Sequence, residues 1–173
     1  MGTFEKIGVK VPRLLFPAES VDLGKWAVVA CDQYTSQPEY WQECDRIVGD
    51  APSTLHLMLP EVYLGKAGEA ERIASINGAM TRYMENGALR DIGEGLMLVR
   101  RTVAGKTRTG MLIGLDLDQY DYSRDSKTLI RATEGTIIER IPPRLRIREN
   151  APLEMPHILV LIDDPAHRLR AAI

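Results

Sequence analysis

The residues best suited to chemistry lie in one arginine-rich stretch of the sequence. Five arginines and two glutamates lie between residues 131 and 148, without a lysine, which leaves a local surplus of three positive charges. Arginine prevails where a planar guanidinium must bind phosphate or carboxylate through paired hydrogen bonds. Arg144, Arg146 and Arg148 alternate with Leu145 and Ile147, which predicts a strand that presents three guanidinium groups on one face. That face is a candidate anion-binding surface.

An ordinary structural role explains the same arginines. They lie within a few residues of Glu134, Glu139 and Glu149, and ion pairs on a solvated sheet face contribute only about 0–1 kcal/mol each. The sequence leaves the anion-binding and the ion-pair interpretations open.

The residues around Gly135 could add a second set of anion-binding groups. Gly135 permits a backbone bend, and Thr133 and Thr136 place hydroxyl groups beside Arg131 and Glu134. Such a set could form a small anion nest or hold a metal-bound phosphate. It lacks the Gly-Lys-Ser/Thr of a P-loop, so the motif has low specificity.

Asp32 is the candidate general base. An apolar run over residues 25–31 predicts a buried strand, and polar groups that follow such a strand are where open α/β sheets place ligands. Asp32 could accept a proton or hold a cation, and Thr35 or Ser36 could bind phosphate at the start of the next helix. Alternatively, Asp32 forms a turn and Ser36 caps that helix, with Pro38 in its first turn.

The elements that must position these residues can be predicted from hydrophobic spacing. Helices are expected over residues 38–48 and 67–86, and the second should end at Asn86-Gly87. Residues 96–102 and 108–117 predict a hairpin that turns over residues 103–106, because Gly105 can adopt positive φ. Further strands are expected over residues 25–31, 55–59, 145–148 and 157–162. The pattern predicts a single domain, 1–173, of mixed α/β class: a mixed sheet with a β-hairpin and two principal helices packed on it.

Composition restricts the function classes. The chain has 173 residues, 45% hydrophobic and 27% charged, with a net charge of −2 from 22 basic and 24 acidic side chains. This balance, and the lack of aromatic residues among the arginines, argue against nucleic-acid binding. Two cysteines and three histidines give no metal-ligand spacing, so no metal site is expected. No stretch reaches the length and hydrophobicity of a membrane span, and we expect a cytoplasmic protein with reduced thiols.

Four long blocks of the sequence resemble one family. They are WAVVACDQYTSQPEYW (26–41), GDAPSTLHLMLPEVYL (49–64), LIRATEGTIIERIPPRLRIRENAPLE (129–154) and PHILVLIDDP (156–165). These blocks closely resemble the prokaryotic family catalogued as domain of unknown function 1015, over residues 7–165. Members of that family continue past the point where this chain ends, and their later part carries an Asp-Gly-Asn-His or Asp-Gly-His-His motif that does not occur here. The resemblance implies that the chain is the N-terminal portion of a longer member and that this portion alone is inactive.

That later motif is similar to one in the ParB-like fold of free-serine kinases. The resemblance therefore implies a nucleotide- or phosphate-binding phosphotransferase that uses Mg²⁺ and ATP or ADP and acts on a small hydroxyl metabolite. In that scheme Arg131, Arg144 and Arg148 contact phosphate, and Asp32 or Glu134 accepts the hydroxyl proton or holds Mg²⁺. The alternatives are a non-catalytic module that binds a small anion and an assembly domain that forms homo-oligomers through its arginine face.

Overall fold

A computed structural model describes residues 4–121, 123–131, 135, 137–155 and 157–172. Its helices and strands confirm the mixed α/β class. The described α-helices are α1 (Leu23–Trp26), α2 (Pro38–Val48), α3 (Glu69–Glu85), α4 (Ile141–Arg148) and α5 (Arg168–Ala172). The described strands are β1 (Val9–Lys10), β2 (Arg13–Pro17), β3 (Leu89–Glu94), β4 (Met97–Val103), β5 (Lys106–Leu112) and β6 (Gly114–Leu115).

The described strands pair in three separate two-stranded sheets. β1 pairs with β6, β2 with β3 and β4 with β5, and all three pairs are antiparallel. The expected hairpin is confirmed as β4–β5, whereas the described strands do not join in a single mixed sheet. The only parallel contact in the described part of the chain is an isolated bridge between Tyr120 and Ile130.

The two principal helices, α2 and α3, hold the core, as their spacing predicts. The larger hydrophobic cluster is built on α3 and includes Ile73, Ile76, Met80 and Tyr83. The smaller cluster gathers Trp41 and Val48 of α2 with Leu55 and Val62. Not every apolar residue of α2 faces inward, since Ile47 is half exposed. Pro38 occupies the first turn of α2, but the residue before it is Gln37 and no side chain caps the helix, so the capping role predicted for Ser36 is wrong.

Two strands predicted in the first half of the chain are wrong. Residues 25–31 begin inside α1, where the Asp22 side chain accepts a hydrogen bond from the backbone N–H of Gly24, and then continue without regular structure. Val28 and Val29 pack against the smaller cluster, so their apolar character is satisfied without a strand partner. Asp32 therefore does not follow a buried strand.

Residues 55–59 also do not form a strand. Thr54–Leu57 is a 3₁₀ helix in which the Ser53 hydroxyl oxygen accepts a hydrogen bond from the backbone N–H of Leu55. Both Ser53 and Thr54 donate hydroxyl hydrogen bonds to the carbonyl oxygen of Trp26. The leucines that suggested alternation are all buried, but in different places: Leu55 enters the smaller cluster, and Leu57 and Leu59 enter the larger one. Because this segment lies between the two clusters, every second residue is buried, as in a strand, although residues 54–57 form a 3₁₀ helix.

The last two predicted strands are also wrong. Residues 145–148 belong to helix α4, which begins with Pro142 and Pro143 in its first turn, where proline's fixed φ suits a helix. Residues 157–162 have no regular structure, and the side chains of Ile158, Leu159, Val160, Leu161 and Ile162 are all exposed.

The turn of the β4–β5 hairpin makes a specific prediction. Its two central residues, Ala104 and Gly105, have φ of 48° and 73°, as in a type I′ turn. The left-handed region costs an L-residue such as alanine roughly 1–2 kcal/mol, whereas asparagine tolerates it. We expect Ala104→Asn to stabilise the hairpin by about 0.5–1 kcal/mol, seen as slower amide hydrogen exchange in β4 and β5. Faster exchange in the variant would contradict this turn geometry.

Candidate functional site

The candidate site is built around a buried carboxylate, Glu61. This residue begins the 3₁₀ helix Glu61–Tyr63, and its side chain is only 5% exposed. Its carboxylate accepts hydrogen bonds from two arginines: Arg140 Nη1 lies 3.0 Å from Oε2, and Arg144 Nη2 lies 2.6 Å from Oε1. We refer to Glu61, Arg140 and Arg144 as the Glu61 cluster. A carboxylate removed from water needs such partners, because an unpaired buried charge is strongly unfavourable.

The arginines of the Glu61 cluster keep hydrogen-bonding capacity for a ligand. Arg140 and Arg144 are 40% and 47% exposed, so one part of each side chain contacts Glu61 while another part faces solvent. A guanidinium carries five N–H donors, and Glu61 engages only a part of them. The carboxylate also fixes the orientation of both side chains, which reduces the entropy that a bound anion would otherwise have to remove.

The Cys31–Asp32 segment lies against this cluster. The backbone N–H of Glu61 donates to the carbonyl oxygen of Cys31 at 2.8 Å. Burial raises the pKa of the Cys31 thiol, Glu61 and Asp32 raise it further, and Arg144 opposes them. Asp32, which follows Cys31 in the chain, and Arg144, both predicted site residues, therefore each lie close enough to act on this thiol. A raised pKa disfavours the thiolate, which argues against a nucleophilic role for this thiol.

The other arginines of α4 have carboxylate partners of their own. Arg146 pairs with Glu69 at the start of α3, and Arg148 Nη2 lies 2.6 Å from Glu154 Oε1. Because α4 is a helix, Arg144, Arg146 and Arg148 do not share one face as a strand would require; they contact three different acids. All three arginines form ion pairs, but the described partners are distant acids or Glu154 rather than Glu139 or Glu149, and Glu134 lies outside the described residues.

The second predicted group of residues is not joined to the cluster by any described contact. Arg131 is exposed and its Nε donates to the carbonyl oxygen of Thr128 at 2.9 Å. No atom of the described residues lies within 4 Å of the position that a Cβ at Gly135 would take. Thr133, Glu134 and Thr136 lie outside the described residues, so the predicted anion nest is not tested. Asp32 has an exposed side chain that accepts a hydrogen bond from Gln33 Nε2 at 3.2 Å.

Two residues of the Glu61 cluster were not singled out from the sequence. Arg140 lies inside the arginine-rich stretch, but it was not part of the alternating pattern. Glu61 had a usable signal, because it is the only Asp, Glu, Lys or Arg between residues 51 and 65. A single carboxylate within an apolar stretch is a candidate for burial with a partner.

A hydrogen-bonded pair of side chains, His56 and Tyr83, lies outside the Glu61 cluster. His56 Nδ1 lies 2.7 Å from the hydroxyl oxygen of the buried Tyr83, which also accepts a hydrogen bond from the backbone N–H of Ser53 at 3.1 Å. Burial is the main cause that lowers the pKa of His56; Asp45 opposes it, Arg82 lowers the pKa further, and Asp50 has the smallest, opposing effect. The neutral imidazole can then accept a hydrogen bond at Nδ1 from the hydroxyl group of Tyr83, with its own proton on Nε2.

The lowered pKa predicts a pH dependence of stability. Between the ordinary pKa of histidine, about 6.5, and the lower folded value, the unfolded chain binds a proton that the folded chain does not. The contribution of His56 to stability is therefore complete above that range and is lost as pH falls through it. We expect the urea midpoint to drop between neutral and mildly acidic pH, and to drop less in His56→Asn, whose amide can still reach Tyr83. An equal drop in both proteins would contradict this role.

The described residues offer no further site of two obvious kinds. No group of three or more His, Cys, Asp or Glu among them is arranged to hold a metal ion. No helix in the described part of the chain is both long and apolar enough to cross a membrane.

The chain is a mixed α/β protein in which the arginines of helix α4 form ion pairs with Glu61, Glu69 and Glu154. Comparison with family models matches residues 13–173 to DUF1015, described as a protein of unknown function. The chain belongs to this family. No curated protein and no solved structure matches it.

Proposed function

We propose that the chain forms the phosphate-binding part of a phosphotransferase that acts on the hydroxyl group of a small metabolite, in the manner of a serine kinase. The supporting observation is the Glu61 cluster: two oriented, half-exposed arginines lie beside the Cys31–Asp32 segment. Phosphoryl transfer requires mainly positioning and charge stabilisation, which such arginines supply. A reduced, cytoplasmic setting is part of this proposal.

Each group of the cluster has a role in this proposal. Arg140 and Arg144 bind the phosphate oxygens through the donors that Glu61 leaves free, and Glu61 holds the two guanidinium groups in place. Asp32 accepts the proton of the attacking hydroxyl group. At the same time the oxygen of that hydroxyl group bonds to phosphorus, and the bond from phosphorus to the leaving oxygen breaks. Arg131, Gly135 and the undescribed Thr133, Glu134 and Thr136 remain candidates for further phosphate contacts.

The cofactor would be ATP or ADP with Mg²⁺. Magnesium in nucleotide sites is held by one or two carboxylates together with phosphate oxygens and water. The exposed carboxylate of Asp32 fits that requirement, and if Asp32 holds the metal ion, Glu134 accepts the hydroxyl proton instead. When bound, the nucleotide supplies the phosphoryl group and the metal ion neutralises part of its charge.

Calorimetric titration with ATP, ADP and pyrophosphate in the presence of Mg²⁺ tests the binding step. Arg144→Lys and Arg140→Lys keep a positive charge next to Glu61 but lose the planar pair of donors, so we expect each to weaken binding about tenfold. Arg148→Lys, whose partner Glu154 is exposed, is the matched control and should bind like the wild type. The absence of nucleotide binding by the wild type would overturn the proposal.

A separate measurement tests the transfer step. A longer family member that carries the Asp-Gly-Asn-His motif is incubated with nucleotide, Mg²⁺ and serine, and phosphoserine is sought by phosphorus NMR. Nucleotide binding without phosphoserine would favour the non-catalytic anion-binding module.

One observation favours the alternative of an assembly module. The apolar side chains of residues 158–162 are exposed, and contiguous exposed apolar surface commonly marks an interaction site. Sedimentation at low and high salt distinguishes the possible interfaces: salt-sensitive homo-oligomers would implicate the arginines, and salt-insensitive ones the apolar segment.

A further inference from the structure

A cleft separate from the Glu61 cluster is lined by a second set of charged side chains. It has a volume of about 520 Å³ and is lined by residues of α2, of α3 and of the segment that connects them. Its apolar lining includes Trp41, Leu55, Leu59 and Ile76, all of them core residues. The volume lies within the range of small-molecule sites, about 300–1,000 Å³. The core fixes one wall of this cleft, so it is a preformed feature of the fold.

Charges of both signs line this cleft without neutralising one another. Asp45 and Asp50 come from α2 and the residues that follow it, and Arg72 and Arg82 come from α3. Among the described residues, none of these four side chains is in an ion pair. Opposite charges that share a cleft but do not pair remain available to a ligand.

The four charges nevertheless lie close to common neighbours. Asp45, Asp50 and Arg82 all act electrostatically on His56, whose pKa is lowered chiefly by burial. Burial likewise raises the pKa of Tyr63, on which both Arg72 and Asp45 act. Asp45 therefore acts on one group that Arg82 also affects, His56, and on one that Arg72 also affects, Tyr63.

Aromatic rings, rather than carboxylates, hold the two arginines. The guanidinium carbon of Arg72 lies 3.7 Å from the centre of the Tyr63 ring, and that of Arg82 lies 5.5 Å from the centre of the Tyr83 ring. A guanidinium over a ring face is oriented by the cation–π attraction while its N–H groups remain free at the edge. This arrangement suits the recognition of a carboxylate.

We propose that this cleft binds a small zwitterion, a free amino acid or a short peptide. Asp45 and Asp50 receive its ammonium group, and Arg72 and Arg82 receive its carboxylate. A ligand with both groups satisfies both pairs at once, which neither a simple anion nor a simple cation can do. The proposal is independent of phosphate binding, because none of these four residues belongs to the Glu61 cluster.

Calorimetric titration with alanine and with trialanine tests the proposal and separates the two sources of the ligand. N-acetyl-trialanine lacks the ammonium group and trialanine amide lacks the carboxylate, so both should bind about tenfold more weakly than trialanine. If alanine binds and trialanine does not, the ligand is the free amino acid, and its N-acetyl and amide derivatives take the place of the blocked peptides. Equal binding of blocked and unblocked compounds, or no binding of either zwitterion, would overturn the proposal.

Variants assign the two ends of the ligand. Asp45→Asn should weaken the binding of the zwitterion but leave its N-acetyl derivative unaffected. Arg72→Gln and Arg82→Gln should weaken the zwitterion but leave its amide unaffected. Glu43→Gln and Arg46→Gln are matched controls, because these two exposed residues of α2 pair with each other and do not line the cleft. Thermal unfolding of every variant identifies loss of structure, and unchanged zwitterion binding in all three cleft variants would refute the assignment.

Discussion

Trp41→Ala is expected to lower the free energy of unfolding by about 3–5 kcal/mol, the range for removing a buried aromatic side chain. Trp41 is completely buried and is the largest member of the smaller hydrophobic cluster, through which α2 packs on Leu55 and Val62. Urea unfolding followed by far-ultraviolet circular dichroism measures the loss. Ile47→Ala on the same helix is the control, because Ile47 is half exposed and should change stability by less than about 0.5 kcal/mol.

A milder substitution separates packing from polarity at this position. The indole Nε1–H of Trp41 is buried and has no hydrogen-bond acceptor among the described residues. An unsatisfied buried donor costs about 1–3 kcal/mol, so Trp41→Phe removes a penalty together with part of the packing. We expect its net effect to be far smaller than that of Trp41→Ala. Equal losses in the two variants would show that Nε1 does have a partner.

The second large effect is expected at Glu61. Glu61→Gln removes the charge that Arg140 and Arg144 share, and hydrogen bonds to charged groups contribute about 1.5–3 kcal/mol. Since both arginines can turn toward water, we expect a loss of about 2 kcal/mol, below the 3–5 kcal/mol that follows when a fully buried charge is left unpaired. Chemical unfolding at neutral pH measures it.

Glu154→Gln is the matched control for this substitution. Glu154 forms an ion pair with Arg148, the last residue of α4, but the side chain of Glu154 is 57% exposed. Exposed pairs contribute about 0–1 kcal/mol, so this variant should remain close to the wild type. If the two substitutions lower the free energy of unfolding equally, the ion pairs of Glu61 do not stabilise the packing of α4.

The sequence was sufficient for the elements whose signals are local. Helix α3 has apolar residues at helical spacing over 17 residues and stops at Asn86-Gly87, and Gly87 has the positive φ of a helix terminator. The β4–β5 hairpin follows from the turn at Gly105. Neither element depends on a distant partner for its form, so spacing and turn chemistry identify both.

The candidate site depends on distant contacts, which spacing does not encode. The alternation of arginine with Leu145 and Ile147 over five residues is compatible with a strand or with a short helix. Pro142 and Pro143 favour the helix, and the carboxylates that orient its arginines come from far away in sequence: Glu61 is 83 residues from Arg144, and Glu69 is 77 from Arg146. Asp32 and Arg144 were both identified, but the residue that brings their surroundings together, Glu61, was not.

The exposed apolar residues 158–162 bear on the solubility of the chain. Five consecutive β-branched or leucine side chains without a charge have the composition of segments that aggregate through intermolecular strands. Asp163, Asp164 and Pro165 follow immediately: two negative charges repel a second copy, and the proline ring denies it one backbone donor. Two charges and a proline that flank an apolar segment in this way oppose such association.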